Sequence, residues 1–185
     1  MPTNDLPAFL RSAQDEGTRV AIVTGATGAI GSAIAEGIAA QEGYAVVLVV
    51  RDQGKASRIV RKIIEDTGNQ QVRYELADLS RRKSIQSLAG RWHGPLHVLV
   101  NNAAVTPRER QETPEGIEMQ FATNVLGYFW LIDELTDVLK ASAPARIINV
   151  ASYWAGGLDL DDLEFERRRY SNGAAYRQSK QANRM

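Results

Sequence analysis

The chain has 185 residues, 44% hydrophobic and 24% charged, which describes one globular domain with a real core and excludes disorder and collagen-like structure. Lysine plus arginine and aspartate plus glutamate each number 22, so the net charge is zero and a general nucleic-acid coat is excluded. With no cysteine, a disulfide framework, a thiolate metal site and a cysteine nucleophile are excluded too. The start carries an early acid, Asp5, and no basic leader; the longest apolar run, Tyr44 to Val50, is far too short to span a bilayer. The expectation is therefore a cytoplasmic protein with no membrane segment.

Residues 1–18 are polar with two prolines and read as a lead-in to a domain over 19–185, with room for a short helix near Phe9 to Gln14. Arg19 to Thr24 is β-branched and stops at Gly25, a strand signal. Ala29 to Gln41 reads as a helix stopped by Gly43, and Tyr44 to Val50 as a strand buried on both faces. Lys55 to Glu65 is helical, Gln71 to Leu76 a third strand, Ser80 to Arg91 a third helix with Ser80 as its N-cap, and Leu96 to Asn101 a fourth strand. A long helix follows over 114–141, with Thr113 as N-cap and Pro114 at its first position. Ile117, Phe121, Val125, Tyr128, Ile132, Leu135 and Leu139 form its stripe, and Phe129, Trp130 and Val138 lie off it. Apolar residues on more than one face predict burial against both the sheet and a second subunit, hence a homo-oligomer. Arg146 to Val150 is a fifth strand, and Ala174 to Met185 starts a last helix. Strands alternating with helices predict an α/β protein whose parallel sheet is covered on both faces.

The acid-rich stretch Asp159 to Glu164 lacks the glycine and ligand spacing of a calcium loop, and reads as a solvated loop. His93 and His97 are separated by a Gly-Pro pair that breaks any helix, so no metal site is expected. Gly25, Gly28 and Gly31 occupy the turn from the first strand into the first helix, with Thr27 and Ile30 between them. Glycines there admit a pyrophosphate to backbone N–H groups at a positive helix end, although a plain strand-to-helix turn also favours glycine. The second strand ends Val50-Arg51-Asp52. Arg51 suits a 2′-phosphate and favours NADP(H); the other reading makes Arg51 a surface charge and Asp52 the ribose ligand.

These residues, with three further motifs in order, resemble the short-chain dehydrogenase/reductase family from about Arg19 onward. Ala77-Asp78-Leu79 looks like the family's adenine-contacting segment, Asn101-Asn102-Ala103-Ala104 like its Asn-Asn-Ala-Gly, and Tyr176 with Lys180 like its Tyr-x3-Lys. Phe121 to Phe129 and Ala175 to Asn183 are most similar to the retinol-dehydrogenase-like branch. Two departures are small: Ala29 stands where the commoner turn has its second glycine, and Ala104 replaces the last glycine of Asn-Asn-Ala-Gly.

The resemblance implies a Rossmann-type doubly wound sheet, with five strands present in the order 3-2-1-4-5. It implies an NADP-dependent oxidoreductase moving a hydride between nicotinamide and a carbonyl or alcohol substrate, small or lipophilic. By resemblance Tyr176 is the general acid/base, Lys180 lowers its pKa and holds the nicotinamide ribose, Ser152 binds the substrate oxygen, and Asn124 supports a water relay to Lys180. Gly25, Thr27, Gly28, Ile30, Gly31, Arg51, Asp78, Leu79, Asn102, Ala103 and Ala104 would hold the cofactor with Tyr176 and Lys180. The family pattern also implies two more strands, a Pro-Gly turn and a substrate lid beyond Met185. Two other readings stay open: a non-catalytic dinucleotide-binding protein, and a sugar-nucleotide epimerase or dehydratase, suggested by the position of Gly28.

Overall fold

The computed structural model describes residues 17–185; the helix expected near Phe9 to Gln14 lies outside them. Five strands, β1 (Arg19–Thr24), β2 (Tyr44–Val50), β3 (Val72–Leu76), β4 (Val98–Asn101) and β5 (Arg146–Asn149), form one parallel sheet in the order β3-β2-β1-β4-β5. The helices between them are α1 (Ala29–Ala39), α2 (Gln53–Thr67), α3 (Arg82–Gly90) and α4 over 119–141; α5 (Asn172–Ala182) follows β5.

Alternation along the strands sorts the core into two layers. Val20, Ile22, Val47 and Val49 point to one face, where Ile85 and Leu88 of α3 and Leu131, Leu135 and Leu139 of α4 cover them. Ala21, Val23, Val46 and Leu48 point to the other, beneath Ala35 and Ala39 of α1 and Ala56 and Ile63 of α2. A strand flanked by helices on both sides is apolar at every position, which is why β1 and β2 are near-continuous hydrophobic runs. β5 is an edge strand, and its Ile147 and Ile148 remain 44% and 48% exposed. Among the described residues, no helix is long and apolar enough to cross a membrane.

Local chemistry moves three predicted boundaries. Helix α2 starts earlier than expected because the Asp52 carboxylate accepts the Lys55 N–H at 2.8 Å, and Gly68 closes it in the left-handed conformation. Ser80 is not the cap of α3. Its N–H and hydroxyl both donate to Asp78 Oδ1, which turns the chain and delays the helix to Arg82. The long helix does not run over 114–141 either. Thr113 Oγ1 accepts from the N–H groups of Glu115 and Ile117, and Gly116 takes a φ of +82°, so 113–117 is a turn. Glu118 is the true cap, receiving the N–H groups of Gln120 and Phe121.

α4 also changes pitch within itself. Its segments are Met119–Phe121, a π-helical turn Ala122–Leu126, and Gly127–Ala141. The wider turn inserts a residue and rotates everything after it. Beyond it Tyr128, Leu135 and Leu139 are buried as the predicted stripe had them, Ile132 packs half-buried against the same core, and Leu131 is buried as well. Gly127 is required where α4 crosses the loop after β3, because a Cβ there would lie 2.6 Å from the Leu79 carbonyl oxygen.

Candidate active site

In a parallel sheet of this order, β1 leads outward to β2 on one side and β4 lies on the other, which opens a crevice at the carboxyl ends of the strands. The crevice here has a volume of 460 Å³. Gly25, Thr27, Gly28, Ile30, Gly31, Arg51, Leu79, Asn102, Ala103 and Ala104 all line it. Ala29, Val49, Val50, Ala77, Val105 and Thr123 complete the lining. Asp78, Tyr176 and Lys180 are not on the walls.

The glycine turn is held tightly. Gly25 has a φ of +66°, and a Cβ on it would lie 2.7 Å from Ala103 Cα. A Cβ on Gly31 would lie 2.5 Å from the Gly25 carbonyl oxygen and 2.6 Å from Asn102 Nδ2. Gly28 differs: its added Cβ would meet only the Gly25 oxygen at 3.5 Å and otherwise open space. Gly28 is also the N-cap of α1, which has no side-chain cap and no acid in its first turn. The start of α1 therefore presents uncapped N–H groups and a positive dipole end to the crevice, an arrangement that fits a phosphate anion.

Thr24, to which sequence reasoning assigned no role, latches this turn to the loop after β4. Its hydroxyl donates to the Val100 carbonyl at 3.3 Å and accepts the N–H groups of Asn102 and Ala103 at 2.9 and 3.0 Å. Asn102 Nδ2 returns a bond to the Thr24 carbonyl at 2.9 Å. The signal available was position alone: a strand-end threonine next to the first glycine. Asp52 is committed elsewhere. Its carboxylate caps α2, and the Lys55 N–H holds its pKa below the usual value. Asp78 likewise spends one oxygen on Ser80.

Of the four expected catalytic residues, Asn124 is bonded to α5, which carries Tyr176 and Lys180, and Ser152 lies in the loop after β5. Asn124 lies in the π turn and is fully buried. Its Oδ1 accepts the Val105 N–H at 2.8 Å; its Nδ2 donates to the Val105 carbonyl and to Ser179 Oγ, each at 3.1 Å. Ser179 Oγ in turn donates to the Tyr176 carbonyl. The Asn124 side chain is thus a strut between the β4 loop and α5. Ser152, just past β5, accepts the Trp154 N–H on Oγ and keeps its hydroxyl proton to donate.

Tyr176 and Lys180 are one turn apart on α5, about 6 Å along its axis. Tyr176 is half-buried and Lys180 is 2% exposed. Lys180 Nζ donates to the Val150 carbonyl at 2.7 Å and to the Tyr128 hydroxyl at 3.2 Å. Burial lowers its pKa to about 8.

The loop from β5 to α5 corrects one expectation. The acidic stretch is not simply solvated. Asp162 is buried and accepts the N–H groups of Glu166, Arg167 and Arg168. Burial pushes its carboxyl up, but those bonds and the Arg168 charge outweigh it and hold the pKa low. Arg168 also donates to Gln178 Oε1 at 2.7 Å, so the loop is clamped to α5 next to Tyr176.

The short chain dehydrogenase family model matches residues 19–160 of this sequence. The chain belongs to the short-chain dehydrogenase family. It is 42% identical to retinol dehydrogenase 13 of Mus musculus over 169 residues, which is 89% of this chain and 50% of that protein. It is 39% identical to polyprenol dehydrogenase of Homo sapiens over 173 residues, 89% of this chain and 52% of the other. The chain therefore spans about half the length of the curated relatives it matches. Among solved structures, an uncharacterised protein of Mycobacterium paratuberculosis superposes with a TM-score of 0.78 at 32% identity, covering 97% of this chain and 61% of that one. A metagenomic short-chain oxidoreductase in complex with NADP superposes at 0.69 with 28% identity, covering 90% and 72%.

Proposed function

We propose that this chain carries the nucleotide cleft and the proton-handling residues of an NADP(H)-dependent oxidoreductase for lipophilic alcohols and carbonyls. The observation that carries the reading is the crevice itself: an uncapped helix start, a glycine turn in which Gly25 and Gly31 leave no room for a side chain, and Arg51 on its lining. The N–H groups of α1 would hold the pyrophosphate, and the Thr24 latch keeps them in place. Arg51 would form charge-assisted bonds with a 2′-phosphate, while Asp52 is occupied with its helix cap. Asp78 and Leu79 would flank the adenine, and Asn102, Ala103 and Ala104 the ribose side.

When bound, NADP(H) supplies or accepts the hydride. The protein's own part is orientation and proton transfer. Ser152 would donate its hydroxyl proton to the substrate oxygen. Tyr176 would pass a proton to or from that oxygen, with Lys180 one turn later on the same helix. Asn124 ties α5 to the β4 loop and so sets where Tyr176 stands. The lipophilic substrate class rests on the relatives that act on retinol and polyprenol. It also rests on Tyr153 and Trp154, 92% and 69% exposed, which directly follow Ser152.

The test is titration with NADPH and NADH by fluorescence, followed by turnover against lipophilic aldehydes, small ketones and sugar nucleotides. NADPH binding with reduction of the aldehydes supports the reading. Binding without turnover moves it to a non-catalytic nucleotide binder, sugar-nucleotide turnover to the epimerase class, and no nucleotide binding refutes it.

A further inference from the structure

The Lys180 side chain is buried with almost no exposure, yet no carboxylate among the described residues forms an ion pair with it. An ammonium has three N–H groups, and each must find a partner when water is excluded. One goes to the Val150 carbonyl at the end of β5. A second goes across to α4, to the hydroxyl of Tyr128, a residue that is 2% exposed and lines no part of the crevice. The ring centroid lies 5.2 Å from Nζ, so the ammonium sits beyond the hydroxyl end of the ring. Among the described residues the third N–H has no hydrogen-bond partner.

We infer that Tyr128 is the positioning residue of this site: its buried hydroxyl anchors the Lys180 ammonium between α4 and β5. The inference rests on the proposed role of Lys180. Burial favours the neutral amine, whereas Tyr128 offers an oxygen lone pair, which favours the cation. Burial also keeps the Tyr128 phenol protonated, above its usual range, so it stays neutral whenever Lys180 is charged. Tyr128 cannot touch substrate. It acts through Lys180, by fixing where the ammonium stands and by keeping its charge one turn from Tyr176.

The other ionisable groups near this ammonium are few. Tyr176 stands one turn earlier on α5 and is electrostatically coupled to Tyr128. Arg184, one turn later, donates to the Ser152 carbonyl at 2.7 Å. The position of Tyr128 also depends on the π turn just before it, since that turn sets the rotation of the following segment.

The experiment reads Lys180 directly and needs no turnover. The chain has five lysines, so labelling lysine with carbon-13 at Cε leaves few resonances, and Lys180→Met assigns the one wanted. Titration in the parent should put that resonance's midpoint near the about 8 set by burial. Tyr128→Phe keeps the ring and removes the hydroxyl. Losing a hydrogen bond to a charged group should lower the midpoint by about one unit. Tyr128→His, which restores a neutral acceptor, should recover at least half of that shift. Tyr128→Phe with its midpoint within about 0.3 units of the parent overturns the inference. Should Tyr128→Phe fail to fold, the His variant and a 3-fluorotyrosine at position 128 carry the test. The weaker acceptor of the fluorinated phenol must lower the midpoint, and no change overturns the inference equally. If the shift appears but no carbonyl substrate turns over, the proposed function fails while the Tyr128 anchor stands.

Discussion

Gly31 and Gly28 are three residues apart in the same turn, yet their alanine variants should fail in different ways. At Gly31 the new Cβ would sit 2.5 Å from a backbone oxygen and 2.6 Å from Asn102 Nδ2. Neither neighbour is the free end of a flexible side chain: the oxygen belongs to Gly25, and Asn102 Nδ2 is bonded to the Thr24 carbonyl. Relief requires the whole turn to move away from the β4 loop. Overpacking of this kind costs about 1–3 kcal/mol. For a domain of this size, that lowers the melting temperature by about 3 to 10 °C. At Gly28 the nearest atom is an ordinary 3.5 Å away, so the fold should lose only the small cost of alanine at an N-cap, about 0.5 kcal/mol. Its methyl group would instead occupy the open side of the crevice, where the pyrophosphate is proposed to approach. Circular-dichroism melts and NADPH titrations on both variants separate the two effects. Gly31→Ala should melt early, and Gly28→Ala should melt near the parent but bind NADPH at least tenfold more weakly. A Gly28→Ala variant with parental affinity would refute the placement of the phosphates, and a Gly31→Ala variant with a parental melt would refute the packing argument.

Tyr176→Phe should keep the fold and the nucleotide affinity and lose nearly all turnover; activity within about threefold of the parent would remove Tyr176 from the mechanism. Arg51→Ala should weaken NADPH and leave NADH nearly unchanged, and equal weakening of both by titration would count against a 2′-phosphate contact. Because burial lowers the Lys180 pKa from 10.5 to about 8, the unfolded chain binds more protons than the folded one between those values, so this residue's contribution to stability rises with pH there. Denaturant unfolding of Lys180→Met should lack that rise, and identical slopes in parent and variant would contradict it. The exposed Phe129 on α4 is proposed to meet a second copy of the chain; Phe129→Glu should then shift sedimentation toward monomer, and an unchanged profile would sink that proposal.

Sequence periodicity and punctuation sufficed for the strands, the helices and the parallel sheet. A strand buried on both faces has to be apolar throughout, and the breaks at Gly43 and Gly68 fall where the chain must reverse. The crevice was legible for the same reason: Gly25, Gly31 and Asn102 are confined to it by steric fit, and Arg51 by its place at a strand end. Other features depended on partners distant in sequence. Whether Thr113 or Glu118 caps α4 was settled by the turn around Gly116 and by the pairing of residues 111–113 with 117–119. The π turn, invisible to a fixed helical period, changes the phase between Phe121 and the stripe residues from Tyr128 onward. Asn124 is expected from the resemblance to support a relay; the tertiary structure adds three bonds from its amide to Val105 and Ser179. Asp162 read as one acid in a solvated run until Arg168 and three N–H groups closed around it. Tyr128 counted only as part of an apolar stripe. Its hydroxyl meets Lys180 across 52 residues of chain, and spacing along one helix cannot report what another helix brings to it.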